Sequence, residues 1–191
     1  MRTRLGWAPI VGLMLQAHCT PAVEAPTLPR QSRSAKTPAQ AKQEGEAFLA
    51  ENAGKKGVVT LPSGLQYRVL RKGDGKTPQD GDTVVVHYRL SFVDGTELDS
   101  SYKRGRPGIF ELARLIPGFR EALKLMPVGS KWHMVIPAAL AYGERGIQSR
   151  KKSARRIGPN TTLVYETELL DIVPAGTSAT ATASLAAVPE N

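Results

Sequence analysis

Residues 115–143 read LIPGFREALKLMPVGSKWHMVIPAALAYG, a short helical pattern followed by a strand-like run. Pro117 suits the first turn of a helix, and Pro127 with Gly129 ends the pattern. Apolar residues recur at helical spacing, at Phe119, Ala122, Leu123 and Met126. Because helices shorter than about 12 residues are marginal in water, this one requires stabilisation by packing. We therefore expect it to lie in the hollow of a curved sheet and to form the floor of a pocket.

Most of the other patterns in the middle of the chain are strand-like. Alternating apolar residues, or runs of β-branched and aromatic residues, occupy 65–69, 83–93, 109–112, 131–136 and 163–170. Asp94-Gly95, after the longest run, is a turn dipeptide. Residues 36–53 have the composition of one additional helix. Since parallel βαβ units would need several longer helices, these patterns predict an α+β domain with an antiparallel sheet.

The two ends of the chain differ in composition from the middle. A positively charged start and an apolar run at 5–15 predict a signal peptide at residues 1–19. Cys19, the only cysteine, is a candidate for lipidation if this is a lipoprotein signal, whereas an ordinary cleaved signal would remove it. Four further segments are predicted: a flexible linker at 20–35, an N-terminal helix and connector at 36–60, the main domain at 61–173 and a disordered tail at 174–191. We therefore expect an exported protein, in the periplasm or anchored to a membrane and facing the periplasm.

One segment carries much of the net charge of +9. Residues 144–156 hold six basic side chains and one acidic side chain. Because the rest of the main domain is much closer to neutral, no nucleic-acid partner is expected. Two interpretations of this basic loop stay open: a solvated loop, or a surface that recruits acidic or phosphate-rich partners.

The sequence lacks the residue patterns of metal and phosphate chemistry. His87 and His133 stand in strand patterns without a neighbouring carboxylate or thiol at metal-ligand spacing. Residues 73–77 imitate the end of a phosphate-binding loop, but the loop would require a glycine where Leu70 stands. We expect no metal and no cofactor, so any catalysis would use a shaped apolar pocket.

Four ordered motifs carry a resemblance to a known family. They are VVVHY at 84–88, DGTELDSS at 94–101, the segment 115–143, and GPNTTLVY at 158–165. Over about residues 40–173 the chain strongly resembles the FKBP-type peptidyl-prolyl cis-trans isomerases, and most of all their exported bacterial branch, typified by macrophage infectivity potentiator proteins. The resemblance implies a half-open antiparallel sheet of five to six strands wrapped around the short helix, with the substrate proline lying on that helix.

The resemblance also implies two sets of site residues. The catalytic set is Tyr88, Asp99 and Tyr142. The substrate-binding set is Leu98, Arg104, Leu115, Ile116, Phe119, Ile157 and Tyr165. Tyr142 is expected to orient the substrate backbone through a hydrogen bond. Asp99 either orients Tyr88 and Arg104 or interacts with the twisting carbonyl, and the sequence leaves both roles open.

Three positions depart from the family pattern. Phe119 replaces the usual tryptophan of the pocket floor, Leu98 replaces a phenylalanine, and Gly108 replaces another aromatic residue of some members. The last two changes predict a smaller aromatic wall. A simpler interpretation remains for several site residues, because apolar helix and strand residues usually belong to a core and Asp99 is also a good turn residue.

The implied function is peptidyl-prolyl cis-trans isomerisation that assists the folding of exported proteins. The alternative is a folding chaperone or peptide-binding module with little catalytic activity. The implied partners are proline-containing unfolded or exported proteins, together with the macrolide inhibitors of the family. Membrane contact is expected only through a lipid anchor at Cys19. We expect a monomer, because the N-terminal region is too short for the large helical dimerisation arm of some relatives.

Overall fold

The structure is a computed structural model that describes residues 36–147 and 157–175. The predicted signal peptide with Cys19, the predicted linker at 20–35, most of the basic loop and the tail from residue 176 onward lie outside the described residues. The expectations for these segments therefore stay predictions.

Two helices and seven strands make up the described chain. In chain order they are α1 (Pro38–Ala53), β1 (Val58–Thr60), β2 (Gln66–Arg71), β3 (Thr83–Phe92), β4 (Glu97–Ser100), β5 (Gly108–Glu111), α2 (Pro117–Leu125), β6 (Lys131–Ile136) and β7 (Leu163–Val173). Short 3₁₀ turns at Leu112–Arg114 and Ala138–Leu140 flank α2 and β6.

All strand pairs in the sheet are antiparallel, in the order β1-β2-β6-β7-β3-β4, and β5 also pairs with β3. This confirms the α+β class and the open antiparallel sheet. The sheet has seven strands rather than five or six. The two strands beyond those predicted are β1 and β4, which contain three and four residues. These two strands were not predicted, since β1 is very short and β4 holds a single apolar residue, and backbone pairing defines both. Thus 58–60, predicted as part of a connector, is an edge strand.

The short helix α2 buries its apolar face in the core beside the sheet, as its spacing predicts. Phe119, Ala122 and Leu123 are buried in the core, together with Met126 at the C-cap. Gly118 allows an unusually close approach, since a Cβ there would lie 2.5 Å from Cγ2 of Ile136. The glycine therefore fixes how closely the N-terminus of α2 approaches the end of β6.

Helix α1 is joined to the sheet by a few specific contacts. Thr37 and Gln40 form a capping box at its N-terminus. Near its C-terminus, Nδ2 of Asn52 donates to Oε1 of Gln66 at 2.8 Å, and Nε2 of Gln66 donates to the Leu49 carbonyl at 2.9 Å.

Neither α1 nor α2, the helices of the described ranges, is long and apolar enough to cross a membrane.

Candidate functional site

Aromatic rings from four elements, α2, β3, β5 and β7, contact one another in a continuous cluster. Phe119 of α2 stacks on Tyr165 of β7 with ring centroids 4.6 Å apart and planes 19° from parallel. The ring centroid of Tyr165 lies 6.4 Å from that of Tyr88 in β3. The Tyr88 centroid in turn lies 5.7 Å from that of Phe110 in β5. Because both contacts are tilted, the rings form a continuous curved surface rather than a single stack.

A hydrogen-bonded triad of Tyr88, Asp99 and Arg104 lies at one edge of this aromatic surface. The Tyr88 hydroxyl donates to Oδ2 of Asp99 at 2.6 Å and accepts from Nη2 of Arg104 at 2.9 Å. Arg104 also forms an ion pair with Oδ1 of Asp99. Its guanidinium group lies 5.3 Å from the centre of the Tyr88 ring. The Tyr88 hydroxyl is therefore engaged on both sides.

These contacts set the charge states within the triad. Burial would raise the pKa of Asp99, but the hydrogen bonds from Tyr88 and Arg104, together with the positive charge of Arg104, outweigh it and lower that pKa below its usual value. Burial raises the pKa of Tyr88, and its hydrogen bond to Asp99 adds to the effect. At neutral pH the site therefore contains an ionised carboxylate and a protonated phenol.

The β3–β4 hairpin places Asp99 beside Tyr88. Leu90 pairs with Asp99 across the two strands. After β4, the buried hydroxyl of Ser101 accepts from the Tyr88 N–H at 2.8 Å, and the Ser101 N–H donates to the Tyr88 carbonyl at 2.9 Å. The backbone N–H of Ser100 donates to Oδ1 of Asp99 at 2.8 Å. Ser101 thus holds both ends of the triad in register, a role that the sequence alone did not indicate.

Tyr142 lies just after the 3₁₀ turn that follows β6. The N–H of Gly143 donates to the Ala138 carbonyl at 2.8 Å, and the N–H of Gly146 donates to the Tyr142 carbonyl at 3.1 Å. The side chain is half-buried against the core, and burial raises the pKa of its phenol. Its hydroxyl has no hydrogen-bond partner in the part of the chain that the structure describes. The backbone is therefore fixed while the hydroxyl remains available.

The other predicted site residues belong to the same apolar cluster. Leu98 and Ile157 are buried in it, and Leu115 and Ile116 pack against it while half-buried. These four residues thus share one apolar cluster with Tyr88, Phe119, Tyr142 and Tyr165. Their individual roles remain proposals, and Leu98 and Ile157 contribute to the core as much as to the surface of the site.

Phe110 belongs to the aromatic cluster and was not named from the sequence. A Cβ on Gly108 would lie 2.4 Å from Cε2 of Phe110 and 3.1 Å from Cε1 of Tyr88. The Phe110 ring therefore occupies the space of a side chain at position 108 and restores part of the aromatic wall. The available signal was strand periodicity, because residues 108 and 110 of β5 point to the same face.

A second concavity, a groove of about 550 Å³, is separate from the aromatic surface. It is lined by Leu61, Pro117, Arg120, Glu121, Lys124 and Leu125. Two of its charged groups already have partners, since Lys124 pairs with Asp80 and Glu121 accepts from Ser63. The groove contains no member of the triad or the aromatic cluster, so we place the candidate site at the aromatic surface. Within the described ranges, no group of three or more His, Cys, Asp or Glu side chains is positioned to hold a metal ion.

Two family models match this sequence. The model described as FKBP-type peptidyl-prolyl cis-trans isomerase matches residues 74–170. The model described as the domain amino terminal to FKBP-type peptidyl-prolyl isomerase matches residues 15–69. The first match contains the triad, the aromatic surface and Tyr142.

Curated bacterial proteins are similar to this chain over most of its length. It is 45% identical over 131 residues to the outer membrane protein MIP of Legionella longbeachae, covering 69% of this chain and 54% of that protein. It is 51% identical over 130 residues to the FKBP-type 22 kDa peptidyl-prolyl cis-trans isomerase of Escherichia coli K12, covering 68% of this chain and 60% of that protein. The chain therefore spans between half and two thirds of the length of these relatives.

Solved structures show the same fold. The crystal structure of FkpA from Escherichia coli has a TM-score of 0.66 at 44% identity, covering 72% of this chain and 61% of that chain. A peptidyl-prolyl cis-trans isomerase from Pseudomonas syringae pv. tomato has a TM-score of 0.64 at 33% identity, covering 73% of this chain and 98% of that chain.

Proposed function

Because this chain belongs to the family of FKBP-type peptidyl-prolyl cis-trans isomerases, we propose that it accelerates rotation about X–Pro peptide bonds in protein clients. The relatives named MIP and FkpA confirm the resemblance to the bacterial branch of that family. The observation that carries the proposal is the aromatic surface of Phe119, Tyr165 and Tyr88, with the hydroxyl of Tyr142 available beside it.

The chemistry of prolyl rotation suits such a surface. The barrier to amide rotation is about 18–20 kcal/mol, because the twisted state loses the resonance of the planar bond. The planar amide has the larger dipole, which water solvates well. An apolar surface that displaces water therefore stabilises the twisted state relative to the planar one. No nucleophile, metal or cofactor is required for this effect.

We assign the roles by chemical character. Phe119 and Tyr165 form the floor on which the proline ring lies, and Ile116 borders it. Tyr142 donates its hydroxyl to the substrate backbone and fixes the orientation of the peptide. Asp99 holds Tyr88 and Arg104 in place, since its two oxygens are engaged by those residues. This favours a positioning role for Asp99 over direct contact with the twisting carbonyl.

The proposal is tested by peptide isomerisation and proline-limited refolding assays on the full chain. Acceleration of both reactions is expected. Tyr142→Phe and Asp99→Ala should each lower kcat/KM by about tenfold, the effect of losing one hydrogen bond to the substrate or one positioning contact. Tyr102→Phe is the matched control, because Tyr102 stacks on His87 away from the aromatic surface. A rate equal to the uncatalysed rate would reject the proposed isomerase activity. It would favour the alternative, a chaperone or peptide-binding module.

The proposed clients are proline-containing proteins that fold after export. The predicted signal at 1–19 supports export, and one relative is named as an outer membrane protein. Periplasmic location or membrane anchoring through Cys19, the macrolide inhibitors and the monomeric state stay predictions.

Recruitment of acidic clients by the basic loop is also a prediction, tested by replacing Arg150, Lys151, Lys152, Arg155 and Arg156 with Gln and measuring client binding at low salt. Unchanged binding would reject that role.

A further inference from the structure

The three tyrosines of the site differ in how their hydroxyls are used. The Tyr88 hydroxyl donates to Asp99 and accepts from Arg104. Tyr142 and Tyr165 have no hydrogen-bond partner for their hydroxyls among the described residues. Tyr142 is half-buried as a residue. Tyr165 is the unusual case, because only 6% of the residue is exposed.

The hydroxyl of Tyr165 is buried without being enclosed. Across the described ranges, the one fully enclosed side-chain polar atom without a partner is Oγ1 of Thr167. The Tyr165 hydroxyl has no partner among the described residues and is not a fully enclosed atom of this kind, so it keeps some contact with solvent. A buried polar group without a partner destabilises a protein, so such a group is usually satisfied by water or by a ligand. Its position in the candidate site points to a ligand.

The surroundings of Tyr165 make it a donor with a fixed orientation. Its ring is held by the stack on Phe119. Burial raises the pKa of its phenol, and the nearby acidic groups of Tyr142, Tyr88 and Asp99 raise it further. The phenol therefore remains protonated throughout the physiological pH range. A protonated phenol among aromatic rings offers one hydrogen to an incoming acceptor.

A prolyl peptide brings the matching acceptor. Proline has no backbone N–H. The X–Pro peptide bond and the proline residue therefore offer only their carbonyl oxygens as main-chain hydrogen-bonding groups. When the proline ring covers the aromatic floor, a carbonyl of the bound segment loses water and needs a donor. Leaving it unpaired would oppose binding.

We propose that the hydroxyl of Tyr165 donates a hydrogen bond to a backbone carbonyl oxygen of the bound X–Pro segment, as a second substrate donor beside Tyr142. The proposal rests on the proposed function in that both place a prolyl peptide on the same surface. It assigns Tyr165 a part in recognition that is distinct from its ring packing. Binding therefore depends on the hydroxyl, and the stability of the fold depends on the ring.

The test is the variant Tyr165→Phe in the full chain, which removes the hydroxyl and retains the ring. The Kd for a proline-containing tetrapeptide, measured by NMR titration, is expected to rise about three- to tenfold, as for the loss of one hydrogen bond. The free energy of unfolding should be unchanged or higher, because a buried polar group without a partner is removed. Tyr67→Phe is the matched control, since Tyr67 stacks on Trp132 at 4.3 Å outside the site.

Two results would overturn the proposal. One is an unchanged Kd in Tyr165→Phe with the fold intact. The other is a rise in Kd that accompanies a lower free energy of unfolding, since that is the signature of a purely structural residue. The titration measures binding without turnover, so its outcome is separate from that of the proposed function. If the wild-type chain binds the peptide but does not accelerate isomerisation, the proposed catalysis is rejected. The role of Tyr165 in binding can then still be tested by the same titration.

Discussion

The ring of Phe110 fills the space beside Gly108, at 2.4 Å from the position that a Cβ on the glycine would take. The two residues therefore act as one unit, in which the absence of a side chain at position 108 allows the ring at position 110 to reach Tyr88. An aromatic wall is present although the residue expected to supply it is missing.

Gly108→Ala is expected to displace the Phe110 ring from Tyr88. Overpacking of this kind destabilises folded proteins by about 1–3 kcal/mol, and peptide affinity should fall with it. Chemical denaturation and peptide titration measure the two effects. In the double variant Gly108→Ala with Phe110→Leu, the smaller leucine leaves room for the new Cβ. The double variant should therefore lose less stability than the sum of the two single variants. Strict additivity would contradict the coupling.

Thr167→Val is expected to stabilise the protein. The Thr167 hydroxyl is fully enclosed in the core and has no partner among the residues described. Replacing it by a methyl group of similar size removes a buried polar group and should raise the free energy of unfolding by about 1 kcal/mol. Thr161→Val is the control, because that hydroxyl donates to the Gly158 carbonyl at 2.8 Å and its loss should destabilise. A less stable Thr167→Val protein would contradict the prediction.

Gly118→Ala is expected to push α2 away from the sheet. A Cβ at this position would lie 2.5 Å from Cγ2 of Ile136 and 3.0 Å from Cβ of Leu140. We expect a loss of about 1–3 kcal/mol in the free energy of unfolding and a decrease in kcat/KM, since Ile116 and Phe119 move with the helix. Gly54→Ala is the matched glycine control, with its nearest atom at 3.6 Å and a φ of −78°. Equal effects at both glycines would refute the role of close packing.

Asp99→Asn is expected to change stability in a pH-dependent way. The pKa of Asp99 lies below its usual value in the folded chain, so the carboxylate stabilises the fold above about pH 4, the ordinary range of its unfolded pKa. That contribution is lost as the pH falls through the folded pKa. The difference between wild type and variant should therefore be present at pH 7 and should decrease in acid. It should be at most about 1 kcal/mol, because water screens this half-exposed group.

The comparison of unfolding curves at pH 7 and in acid checks this prediction. Tyr88→Phe provides a second variant, because it removes the hydroxyl that donates to Asp99 and keeps the ring. It should reduce the same pH-dependent contribution in part. A stability difference for Asp99→Asn that does not vary with pH would show that the carboxylate charge is not the cause.

Local chemistry made much of the fold predictable. Pro117, Pro127 and Gly129 bound α2, and its apolar residues are buried as their helical spacing requires. The long strand runs appear as β3, β6 and β7 because their alternating or β-branched and aromatic residues continue over six or more residues. The strands β1 and β4 were missed, since β1 has three residues and β4 a single apolar residue, and pairing with the neighbouring strand defines both.

The candidate site was predictable as a set of residues and not as an arrangement. The motif positions named Tyr88, Asp99, Tyr142 and Tyr165 because residue type and order identify a family. The sequence left two roles open for Asp99, and in the structure its two oxygens contact Tyr88 and Arg104. It also suggested a weaker wall at Gly108, which the ring of Phe110 partly replaces.

The sequence by itself determined the helices, the longer strands and the family, because periodicity, turn residues and ordered motifs act over short distances along the chain. Only the tertiary structure decided which hydroxyls are engaged and which are available. Tyr88 and Tyr165 are both tyrosines in strands, yet one is bonded to Asp99 and the other lies buried without a partner among the described residues. That difference arises from contacts made on folding, since Asp99 of the neighbouring strand β4 reaches the Tyr88 hydroxyl and no described residue reaches that of Tyr165.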